Sequence, residues 1–111
     1  MATLFDERER AFEALFAQEE ELRFRTLVRR NRIIGTWMSG RLGLSNEEAE
    51  TYTRRLVEAV ASPLTEEALM DRLRTELIGR GHEAAAAELP DLFARASAEA
   101  ALAVREENRA A

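Results

Sequence analysis

Apolar residues recur at helical spacing along the whole chain, and no stretch alternates in the manner of a strand. Phe5, Phe12 and Phe16 fall within roughly 40° of one another around a helix drawn at 100° per residue. The residues between them are mostly charged, and Glu9 falls on the same stripe. A core-facing helix usually carries a wider apolar face. The pattern predicts a helix over about residues 5–19 and a second over about 20–39, and the two could equally be one. In the second, Phe24, Leu27, Val28, Ile34 and Met38 share one broad face, and Arg25, Arg29 and Arg32 fall together on the opposite one. Asn31 sits within the apolar face as a buried polar residue that fixes register. Gly35, unfavourable in a helix interior, permits close approach of a partner helix. Trp37 widens this surface, and its indole N–H needs an acceptor.

Gly40-Arg41-Leu42-Gly43 ends this helical run, with either glycine able to take a left-handed cap. Ser45 and Glu48 form a capping box that opens the next helix. Its inner face carries Ala49, Tyr52, Leu56, Ala59 and Val60, and Ser62-Pro63 ends it. Thr65 caps a further helix with Leu69, Met70, Leu73 and Leu77 inward. Gly79-Arg80-Gly81 breaks that one. The last helix begins near Pro90, which suits a first helical position. Its apolar side is Leu92, Phe93, Ala96, Ala100, Ala103 and Val104. The expected fold is all-α, a helical bundle.

The chain has 111 residues, enough for one domain with a modest core. No apolar run approaches the roughly 20 residues of a membrane span. The acid-rich start is unlike a secretory signal. Cysteine is absent, which excludes disulfides, thiol chemistry and Cys-ligated zinc, and fits a reducing cytoplasm. There is no lysine either, so Schiff-base and P-loop chemistry are excluded. The net charge of −5 disfavours general nucleic-acid binding.

His82, the single histidine, stands in a glycine turn and reads as a cap or surface residue. No Glu-x-x-His or His-x-x-x-His spacing supports a metal site. No cofactor and no catalytic constellation is expected, so an interaction protein is the default rather than an enzyme. Charge is distributed in blocks. From Asp6 to Glu21 there are seven acids and two arginines, whereas Leu22 to Asn46 carries six arginines and no acid. The arginine block reads as a solvated helix face, or as an anion-facing patch of Arg25, Arg29 and Arg32 for a nucleotide or RNA. The aromatic pair Phe12 and Phe16 is open in the same way. By periodicity alone an i,i+4 pair most often covers the chain's own core; a narrow aromatic stripe on a charged helix also suits docking into a partner's groove.

The run Phe5-Asp6-Glu7-Arg8-Glu9-Arg10-Ala11-Phe12-Glu13 with Phe16-Ala17 resembles the alphaproteobacterial ATP synthase inhibitor subunits called zeta. The likeness continues through Glu20-Glu21-Leu22-Arg23-Phe24, Arg29-Arg30-Asn31-Arg32, Gly35, Trp37, Leu42-Gly43-Leu44-Ser45, Glu48-Ala49-Glu50 and Tyr52. The second half resembles the family only in pattern, and Ala59 to Leu64 stands where the family has an acidic loop. The resemblance implies a four-helix bundle over residues 19–111 with a mobile or loosely helical inhibitory arm over residues 1–18. It implies that the arm inserts between alpha and beta subunits of the F-type ATP synthase near gamma and blocks rotation in the hydrolysis direction. A cytoplasmic protein, peripheral to the inner membrane through the synthase and not itself inserted, follows. The arm positions carried over are Phe5, Asp6, Arg8, Glu9, Ala11, Phe12, Glu13 and Phe16.

Overall fold

A computed structural model describes residues 3–111; Met1 and Ala2, the first residues of the expected arm, lie outside the described range. The fold is all-α among these residues. Helix α1 spans Leu4–Leu42, α2 Asn46–Glu58, α3 Glu66–Gly79, α4 Glu83–Ala87 and α5 Leu89–Ala110, with a single 3₁₀ turn at Ala59–Ala61 after α2. The two expected N-terminal helices are one. The acids Glu19, Glu20 and Glu21 suit a helix start, but they are equally ordinary on an exposed helix surface, and no glycine or proline interrupts the run from Leu4 to Ile34.

Only the C-terminal half of α1 enters the core. Arg30, Asn31, Ile34, Gly35, Met38 and Ser39 are buried, whereas Thr3 to Glu21 are exposed apart from a half-buried Asp6. Gly43 takes the left-handed cap (φ 67°), and Leu44 N–H closes back on the Ser39 carbonyl at 3.1 Å. Helix α2 then returns along α1, opened by the Ser45–Glu48 capping box. The Ser45 backbone N–H donates to the Glu48 carboxylate and lowers its pKa.

At the crossing of α1 and α2, a Cβ on Gly35 would lie 2.7 Å from Thr53 Oγ1 and 3.0 Å from its Cα. Gly35 is therefore where the two backbones meet. One turn away, Asn31 Nδ2 donates to the Leu56 carbonyl at 2.7 Å. That carbonyl is among the last four of α2, which lack partners inside their own helix. The buried amide thus fixes the register of α1 on α2.

Helix α5 lies antiparallel to α1. Glu88 pairs with Arg41 near one end (3.4 Å), and Glu107 meets Arg25 and Arg29 at the other. Leu69, Leu73 and Leu77 of α3 close the core against Leu89, Leu92, Phe93 and Ala96. Helix α5 packs along the C-terminal half of α1, and the N-terminal half is left exposed. Phe24, expected on the inner face, lies at this margin and is half exposed.

Tyr52 O–H donates to Glu76 at 2.5 Å across α2 and α3. Burial first, then this bond and the Glu76 charge, hold the phenol above its ordinary pKa. A pKa raised by folding contributes stability that is fully present below the unfolded value of about 10 and is lost progressively as pH rises from there through the higher folded value. Urea unfolding followed from about pH 9 to 11 is expected to show that loss, and Tyr52→Phe to remove this component at a cost of about 1 kcal/mol at neutral pH.

Candidate functional site

The first half of α1 is held helical from both ends. Thr3 caps it: its Oγ1 accepts the Asp6 N–H at 3.1 Å, and its own N–H donates to Asp6 Oδ2 at 3.2 Å. At the other end the packed half of α1 already supplies a nucleus, so each further turn needs only propagation. Alanine, leucine, glutamate, glutamine and arginine, all good helix formers, fill most of the segment. The result is a helix whose side chains face solvent on all sides. The expected division at residue 18 coincides with no break in the backbone; what changes nearby is burial, beginning at Leu22.

Phe5, Phe12 and Phe16 are 74%, 74% and 60% exposed. They contribute nothing to the core. Leu4 and Leu15 are also exposed and extend the apolar surface along one side of the rings. Neither leucine belongs to the aromatic stripe; their i,i+11 spacing, equal to that of Phe5 and Phe16, is the signal that marks them. Of the other expected arm residues, Arg8, Glu9, Ala11 and Glu13 are exposed, and Asp6 is engaged in the cap. The Thr3-x-x-Asp6 pattern is itself a legible capping box.

The arginine block is arranged differently from a free patch. Arg25 and Arg29 both reach the Glu107 carboxylate, the former at 3.1 Å. An external anion there competes with one the chain already carries. Arg32 stands apart and lines an open groove of about 800 Å³ between α1 and α2, together with Arg54 and Glu50. Arg30 turns inward instead. Its guanidinium lies 5.5 Å from the centre of the Phe93 ring, its Nε donates to Asn31 Oδ1 at 3.0 Å, and Glu66 approaches to 3.9 Å. Burial lowers its pKa, partly offset by Glu66.

Trp37 faces the Arg41 guanidinium at 4.9 Å. His82 occupies the cap position of α4 without a capping hydrogen bond from its side chain. Among the described residues no group of acidic or histidine side chains is placed to hold a metal ion, and no helix is long and apolar enough to cross a membrane.

A family model described as ATPase inhibitor subunit zeta matches residues 1–103 of the chain. No curated protein and no solved structure matches it. The match runs from the exposed helix through the bundle and into the last helix, and on that basis the chain belongs to the ATPase inhibitor subunit zeta family.

Proposed function

We propose that this protein inhibits ATP hydrolysis by the F-type ATP synthase, and that residues 1–18 are the part that does so. The arm inserts between alpha and beta subunits of the catalytic head near gamma, and blocks rotation in the hydrolysis direction. The observation that supports this reading is the exposure of Phe5, Phe12 and Phe16 on one face of a helix that no other described residue covers. Helix-in-groove docking uses anchors at such spacings, and aromatic anchors dominate the energy of interfaces of this kind. Full burial of each ring contributes about 1.5–3 kcal/mol. Because the arm is already helical, little of that is consumed in ordering the backbone. The bundle, folded without the arm's side chains, remains outside the groove.

The test is capture of the synthase by the full chain. Tagged protein is expected to retain alpha and beta subunits from membrane extract, and the purified chain to lower ATP hydrolysis by the isolated head. Absence of both overturns the proposal.

A further inference from the structure

The net charge of this protein is confined to one end. Seven acids and two arginines lie between Asp6 and Glu21, and the remainder of the chain carries fourteen residues of each sign. Residues 6–21 therefore bear the whole net charge of −5, and the rest of the chain is formally neutral.

The acids are also placed. Glu9, Glu13 and Glu20 are spaced i, i+4 and i+11, and they form a row centred roughly 60° from the middle of the three rings, with Glu9 at the edge of the aromatic stripe itself. All three are exposed, and none forms an ion pair among the described residues. Glu9 and Glu13 are like charges one turn apart, an arrangement that weakens a free helix slightly and that a cation opposite would relieve. The other edge of the aromatic stripe carries Leu4, Ala11 and Leu15, with Arg8 and Glu19, one charge of each sign, beside them. Glu7 and Glu21 lie on the far side of the helix, away from the rings.

We infer that the surface receiving the arm is a protein groove with an apolar floor and one wall lined by arginine or lysine, and that this wall faces Glu9, Glu13 and Glu20. The inference rests on the docking reading above and adds the chemistry of the partner. The rings require a concave apolar floor. The acid row requires cations on one side of it, since burying carboxylates against a neutral wall carries a desolvation cost without return. An anionic lipid surface or a nucleic acid would repel the arm. Segregation of the charge has a kinetic consequence as well: the cationic groove draws in the arm end of the molecule first, and the bundle does not compete for it.

The test is association of the full chain with the isolated synthase head at low and high ionic strength. The unmodified chain is expected to associate more slowly as salt rises. Glu9→Gln/Glu13→Gln is expected to lower the association rate about tenfold at low salt and to flatten its salt dependence. Glu7→Gln/Glu21→Gln removes the same charge from the far side and is expected to retain most of the rate. An unchanged rate in the first variant, or an equal loss in both, overturns the inference. If the first variant binds like the unmodified chain while Phe5→Ala/Phe12→Ala/Phe16→Ala does not bind, the cationic wall is wrong and the docking reading stands. If the unmodified chain does not bind the head at low salt, both fall.

Discussion

Replacing Phe5, Phe12 and Phe16 together by alanine is expected to abolish inhibition of ATP hydrolysis while leaving the bundle as stable as before. The two halves of this expectation have separate physical grounds. Rings that are 60–74% exposed have little packing to lose, so thermal unfolding should shift by no more than about 0.5 kcal/mol. Alanine is also the better helix former, which acts in the stabilising direction. Binding is different, because each ring removed from a fitted pocket costs about 2 kcal/mol or more. Such losses are not additive, but a decrease of at least ~100-fold in affinity follows even from partial addition. Deleting residues 1–17 should give the same pair of results. A triple variant that inhibits like its parent would show that the rings are not anchors. One that unfolds would show that they hold the fold together.

Gly35→Leu is expected to produce the largest loss of stability. Even the first carbon of a side chain at this position meets Thr53 at 2.7–3.0 Å, and one of the atoms it meets belongs to the backbone of α2. No rotamer change relieves a clash with backbone, so α1 and α2 must separate. Separation also stretches the 2.7 Å bond from Asn31 to the Leu56 carbonyl, whose loss costs about 1–3 kcal/mol in a buried setting. Overpacking adds about 1–3 kcal/mol. The gain in helix propensity on leaving glycine is under about 1 kcal/mol and does not compensate. A net loss of about 3 kcal/mol corresponds to more than ~10 °C in the midpoint of thermal unfolding for a domain of this size. Thr53→Ala in the same chain should recover part of it, because Oγ1 is gone while the backbone of α2 still stands in the way. Equal stability of Gly35→Leu and its parent would contradict the close crossing.

The boundaries of the fold were legible because they are written locally. Ser45 with Glu48, Thr65, Gly43 and Pro90 each act within one turn of helix, and the structure uses each where its chemistry places it. Gly35 and Asn31 were legible for a related reason: each is costly on an apolar helix face unless a neighbouring helix comes close or supplies a hydrogen-bond partner. The fate of the arginine block was not legible. Arg25 and Arg29 depend on Glu107, and Arg30 depends on Phe93, partners more than sixty residues away whose arrival no periodicity foretells. The aromatic stripe was legible as a stripe. Whether it was covered depended on which part of α1 the other helices pack against, a tertiary fact. The family resemblance pointed to an uncovered arm where periodicity alone favoured a buried one, and the rings are exposed.

Helix α1 has no glycine or proline before Gly35, so arm and bundle are a single stiff rod within a molecule 65 Å long. Phe16 and Arg30 are fourteen residues apart, about 21 Å along the helix axis. Wherever the rings seat, the bundle must then stand at that distance and at a fixed angle around the axis. If the arm acts as proposed, a rotor pressing on the seated end would be resisted as a lever is resisted by its fulcrum, rather than slipping past a tether. Two glycines placed together near Gln18 would lower that bending stiffness without touching a ring.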